Sequence, residues 1–78
     1  KSGELSVFPN PTSGVLNIKQ DGRFSRITIY NLMGQVVLAK DIVFQNEVVM
    51  LSFLQPGQYI LELTGKSESV KLNIQKHR

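Results

Sequence analysis

Cysteine and tryptophan are absent from this chain, and it has a single histidine. Without cysteine there is no disulfide framework, no thiolate metal site and no cysteine nucleophile. On its own that absence leans toward a reducing compartment, although many secreted bacterial domains lack cysteine as well. Long apolar runs are missing too: none approaches the roughly 18 residues that a membrane-crossing helix requires. Acidic residues number six against nine lysines and arginines, for a net charge of +3. The basic residues are scattered, which argues against nucleic acid as a partner. The exception is the end of the chain, where Lys71, Lys76, His77 and Arg78 follow Glu68 with no further acid. That stretch reads either as a solvated edge with a frayed terminus or as a recognition tail offered to a receptor or an anionic surface. No initiator methionine or signal peptide precedes Lys1, so residues 1–78 are expected to form one domain cut from a longer protein.

What is present is a hydrophobic content of 41% broken up by turn residues. That is too apolar for a disordered tail, and at this length a folded chain buries only about 60 to 65% of its unfolded surface, so a soluble domain with a thin core is expected. The chain is organised around Val7-Phe8-Pro9-Asn10-Pro11-Thr12-Ser13-Gly14-Val15-Leu16-Asn17-Ile18, an apolar run that stops at two prolines, turns and resumes. Each proline fixes φ, lacks an N–H and pushes the residue before it out of the helical region, so Phe8 and Asn10 should be extended. Asn10, Thr12 and Ser13 are suited to side-chain turns, and Gly14 is expected to reverse the chain at positive φ.

The same grammar repeats along the chain. Glu4 to Phe8 reads as a first strand and Val15 to Lys19 as a second, with Leu16 and Ile18 inward, closed by an Asp21-Gly22 turn. Phe24 is expected to plug the end of the fold, and Arg26 to Tyr30 alternates with Ile27 and Ile29 inward. Gly34 then lets Gln35 to Ala39 return as a hairpin; a helix over Tyr30 to Lys40 competes on spacing, but Gly34, Val36 and Val37 oppose it. Glu47 to Leu51 is a fifth strand, apolar on both faces, which implies burial on both sides or a covered edge. Pro56-Gly57 suits the centre of a type II turn. Gln58 to Leu63 follows, with Tyr59, Leu61 and Leu63 inward, and Ser69 to Gln75 closes the chain with Val70, Leu72 and Ile74 inward and Lys71, Asn73 and Gln75 outward.

About seven short strands with a turn signal at every corner predict an all-β fold, a small immunoglobulin-like antiparallel β-sandwich or a small barrel. Catalytic chemistry is not expected. The one histidine is penultimate, the six acidic residues fall on separate turns and strands, and Gly14, Gly34 and Gly57 are single turn glycines that open no helix. No metal or other cofactor is expected.

Three stretches carry a resemblance: Val7-Phe8-Pro9-Asn10-Pro11-Thr12-Ser13-Gly14, Ile27-Thr28-Ile29-Tyr30-Asn31-Leu32-Met33-Gly34-Gln35, and Leu54-Gln55-Pro56-Gly57-Gln58-Tyr59-Ile60-Leu61-Glu62-Leu63. With the basic-ending Val70-Lys71-Leu72-Asn73-Ile74-Gln75-Lys76, they resemble the C-terminal sorting domains of the type IX secretion system of Bacteroidetes-type bacteria, in particular the type A group. The resemblance implies a non-catalytic address. Cargo crosses to the periplasm on a signal peptide, and the folded tail is then recognised by the outer-membrane translocon and its shuttle proteins. A surface sortase-like protease commonly removes the tail, leaving the cargo at the cell surface or in the medium. Pro9, Asn10, Pro11, Gly14, Gly34, Pro56, Gly57 and Tyr59 match the family's corners, and Lys71, Leu72, Ile74 and Lys76 fall in the terminal strand where translocon recognition is expected. The competing function is an immunoglobulin-like adhesive module or a carbohydrate-binding accessory, with Tyr30 as the aromatic contact.

Overall fold

The computed structural model describes residues 5–78. Within that span the chain forms seven strands and no helix: β1 (Leu5–Phe8), β2 (Val15–Gln20), β3 (Phe24–Tyr30), β4 (Val36–Asp41), β5 (Asn46–Met50), β6 (Gly57–Gly65) and β7 (Ser69–Lys76). Glu4, the expected start of the first strand, lies outside the described residues.

Side-chain alternation sorts the strands into two antiparallel sheets, β1-β2-β5 and β4-β3-β6-β7. Hairpins join β1 to β2, β3 to β4 and β6 to β7, while β2–β3, β4–β5 and β5–β6 cross between sheets. This is an open-edged Greek-key sandwich of immunoglobulin-like type, not a closed barrel. The inner faces supply Leu16, Ile18, Val49 and Leu51 from one sheet and Ile27, Ile29, Leu61, Leu63 and Ile74 from the other. Phe24 and Ile42 close one end of the core, and Leu54 and Tyr59 the opposite end. A one-residue slip of β6 would carry Glu62 into this layer in place of Leu61 or Leu63, so the register is held by burial.

The corners explain the chain path. At the β2–β3 crossing, Gly22 has φ 98° and the buried Gln20 side chain wraps the turn. Its Oε1 accepts from the Phe24 N–H at 2.7 Å and its Nε2 donates to the Phe24 carbonyl at 2.9 Å. At the β3–β4 hairpin Gly34 has the expected positive φ, 86°, and the Asn31 Oδ1 accepts from the N–H groups of Met33 and Gln35. Gly65, at the end of β6, is required for a different reason: a Cβ there would sit 2.0 Å from the Arg23 carbonyl oxygen.

Three expectations are corrected. Gly14 does not take positive φ; it is buried, packed beside Ser52, and its N–H donates to the Thr12 hydroxyl at 3.2 Å. A Cβ there would meet Ser52 at 3.6 Å, an ordinary van der Waals distance, so neither reversal nor close approach demands glycine. Pro56-Gly57 is not the centre of a turn: the hydrogen-bonded turn lies earlier, with the Leu54 N–H on the Leu51 carbonyl, and Gly57 at φ 150° already pairs with Lys76 as the first residue of β6. On β5, Val49 is buried, as is Leu51 just after the strand, whereas Val48 and Met50 are 52% and 56% exposed, so the strand is covered on one face only.

Candidate functional site

The feature that singles out one region is the outer edge of β7. Antiparallel pairing directs the backbone groups of alternate residues toward β6 and the others outward. Between Asn73 and His77 the outward groups are taken by the proline corner. Asn10 Nδ2 donates to the Asn73 carbonyl and Asn10 Oδ1 accepts from the Gln75 N–H, both at 3.0 Å. The Thr12 N–H donates to the Gln75 carbonyl at 2.9 Å, and the Thr12 carbonyl accepts from the His77 N–H at 2.7 Å. Thr12 thus runs parallel to β7, paired with Lys76, and ties the β1–β2 corner to the last strand.

Residue types at this clasp follow from its geometry. Pro9 and Pro11 have no N–H to leave unpaired, and both preceding peptide bonds are cis. Asn10 between them offers a side-chain donor and acceptor, matched to one carbonyl and one N–H of β7. Thr12 is 1% exposed, and its hydroxyl both accepts from Gly14 and donates to the Val15 carbonyl. Tyr59 backs the same end of the core, buried except for a hydroxyl that donates to the Gln55 carbonyl at 2.7 Å.

The four terminal-strand residues expected to carry recognition are not presented alike. Lys71 is exposed, Leu72 is half-buried against the core, and Ile74 and Lys76 are 2% and 5% exposed. Lys76 follows Val70, Leu72 and Ile74 on the inward face. Gly57 pairs with it across on β6, and the Lys76 ammonium donates to the His77 carbonyl at 3.0 Å. Of the corner residues, Pro9, Asn10, Pro11, Gly34 and Pro56 are exposed, Gly57 is half-buried, and Gly14 and Tyr59 are buried. The sequence reading gave Thr12 a side-chain turn, which its hydroxyl makes with the Gly14 N–H, and set Asn73 outward, but it did not foresee that Thr12 and Asn73 join in the clasp or that Gly65 meets Arg23.

Beside Lys71 lies the outer face of the four-stranded sheet. Glu62 stands across from Lys71 on β6, and the Tyr30 hydroxyl donates to Glu62 Oε1 at 2.8 Å, which raises the Tyr30 pKa above its usual 10.0. A shallow cleft of about 320 Å³ here is lined by Tyr30, Asn31, Leu32, Gly34, Ile60 and Lys71. At the other end of the molecule Arg23 bridges Asp21 at 2.9 Å and Glu68 at 2.6 Å, and its hydrogen bond to Asp21 is the main cause of the lowered Asp21 pKa. Among the described residues no three His, Asp or Glu side chains gather where they could hold a metal ion.

A two-sheet Greek key with a partly open strand edge, a mixed-charge sheet face and its last strand locked to its first corner has the build of a small recognition module. Its family is more specific: residues 6–76 match the secretion system C-terminal sorting domain, and the chain belongs to that family, whose members are sorting signals of the type IX secretion system and not catalysts. Membership places it on the export route to the cell surface or the extracellular medium, in interaction with that secretion system. Two relatives from Zobellia galactanivorans are similar to it. Beta-agarase D is 42% identical over 72 residues, 91% of this chain, and beta-agarase A is 34% identical over 71 residues, 88% of it. The chain spans only 14% and 13% of the lengths of these relatives.

Proposed function

We propose that the domain is the signal by which a cargo protein is carried through the type IX outer-membrane translocon and then released or attached at the cell surface. The observation that supports this best is the extent of the family match, which takes in residues of every strand of the sandwich and the Asn10 and Thr12 contacts to Asn73 and Gln75. On this reading the shuttle proteins of the outer membrane recognise the folded tail, and a surface sortase-like protease removes it. Lys71 is the terminal-strand residue available for direct contact. Leu72, Ile74 and Lys76 contribute by holding β7 in place, and Pro9, Asn10, Pro11, Gly14, Gly34, Pro56, Gly57 and Tyr59 by shaping the corners.

The test is surface export of a reporter that carries a periplasmic signal peptide and residues 1–78 at its C terminus, in hosts with and without a working translocon. Export only in the competent host is the expected result. Truncation after Asn73 is the crude control, since it removes Ile74 from the core and both Gln75 contacts to the clasp. A reporter that stays periplasmic in both hosts while the domain is folded would refute the proposal.

A further inference from the structure

The clasp covers only half of β7. The N–H and C=O of Ser69 and Lys71 and the N–H of Asn73 point away from β6, and among the described residues no hydrogen bond reaches them. An open row of this kind is a template for another strand. Its extent is defined at both ends: Asn10 occupies the Asn73 carbonyl, and the β6–β7 turn begins before Ser69, where the Gly65 N–H bonds the Glu68 carbonyl.

The two sides of this row differ in chemistry. Lys40 and Glu47, 3.0 Å apart, bridge β4 to β5 along one side of the sandwich, and Thr12 joins the β1–β2 corner to β7 along the other. β1 and β7 therefore border the same side. There Leu5, Val7, Val70 and Leu72 pack on the core but stay half-exposed. On the outer face Lys71 is exposed and in no ion pair among the described residues, while its neighbour Glu62 is held by Tyr30. A strand laid on this edge would place alternate side chains toward Val70 and Leu72 and the one between them beside Lys71.

We infer that Ser69–Asn73 is a strand-addition site for an extended segment of the secretion machinery, about five residues long, with an acidic side chain opposite Lys71 and apolar side chains on either side of it. This rests on the sorting function proposed above and assigns its recognition to one half of one strand. The alternative role for Lys71 is edge protection, a charge that keeps other strands off.

Proline separates the two. Lys71→Pro removes an N–H that faces outward and leaves the β6–β7 ladder intact, because the N–H groups bonded to β6 belong to Val70, Leu72 and Ile74. Ser69→Pro does the same at the first residue of β7, where proline is best tolerated, and stands in if Lys71→Pro fails to fold. The domain reporter is compared in hosts with and without the translocon, with thermal unfolding of each variant domain as the folding control. Folded proline variants should fall at least tenfold in surface export, as should Lys71→Glu, while Lys71→Arg stays near the parent. Parent-level export of the folded proline variants would overturn strand addition. Loss in Lys71→Glu alone would do the same, since it shows that charge is read without the backbone. Translocon-independent export of the parent would instead sink the sorting function itself.

Discussion

Replacing Thr12 by valine tests the clasp with almost no change in shape. The side chain is buried, and the substitution exchanges a hydroxyl for a methyl, so no cavity opens and the effect is polar. Two backbone groups lose their partner: the Gly14 N–H, which donates to the hydroxyl in a buried setting, and the Val15 carbonyl, which accepts from it. An unsatisfied buried group costs about 1–3 kcal/mol, and the Val15 carbonyl is only partly buried, so Thr12→Val should destabilise the domain by about 2–4 kcal/mol. A fold of this size holds roughly 4–12 kcal/mol in all, which makes that a large fraction and corresponds to a melting temperature lower by roughly 10–25 °C. The measurement is urea and thermal unfolding of the parent, Thr12→Val and Thr12→Ser. Serine keeps the hydroxyl and gives up one methyl, a loss of about 1 kcal/mol. Amide exchange at Gln75 and His77, whose N–H groups bond the clasp, should accelerate in the valine variant more than exchange on β3. If Thr12→Val unfolds within 0.5 kcal/mol of the parent, roughly the scatter of a neutral surface change, or if serine is the worse of the two, the hydroxyl does not anchor the corner.

Gly65→Ala drives a Cβ against the Arg23 carbonyl, a backbone atom that cannot turn aside, and chemical denaturation should show a loss of about 2 kcal/mol or more. Gly34→Ala meets nothing within 4 Å and pays only for its φ of 86°, so the same assay should find about 1 kcal/mol. Glu47 has one carboxylate oxygen on Lys40 and the other buried without a partner, so Lys40→Met alone should destabilise more than Lys40→Met combined with Glu47→Leu in a double-mutant cycle. Tyr30 should ionise above pH 10.0, and Glu62→Gln should bring its tyrosinate absorbance back toward the ordinary value. Because the raised pKa favours the protonated phenol in the folded state, the contribution of the Tyr30–Glu62 bond is complete below pH 10.0 and disappears as pH rises through the folded pKa.

Much of this architecture is legible where one face of a strand is buried and the other wet. Val70, Leu72 and Ile74 against Lys71, Asn73 and Gln75 announce β7 and its orientation, and Ile27 and Ile29 do the same for β3. Phe24 follows a turn and has nowhere apolar to go but the end of the core. Periodicity was silent on β5, because Glu47-Val48-Val49-Met50-Leu51 is apolar on both faces, and only the two-layer packing, which leaves the outer face of β1-β2-β5 uncovered, decides that Val48 and Met50 meet solvent. Lys76 continues the inward parity of its strand, yet charge suggests the opposite. Gly65 is needed for its close approach to Arg23, a residue far away in sequence that local turn chemistry cannot see, and the same chemistry assigned Gly14 a positive φ it does not adopt. The site was legible only as a strand; its division into a covered and an open half is set by Asn10, 63 residues before Asn73.

That separation ties the clasp to the completeness of the domain. The partners of Asn10 and Thr12 lie in and just after β7, so the corner stays unclasped until Asn73, Gln75 and His77 are in place. A product ended early by a stop codon or a protease has no Ile74 to fill the core and nothing for the corner to grip. If the machinery reads the closed tail, it reads a property that only a complete sandwich possesses, and a domain cut short before Asn73 is passed over without any separate inspection step.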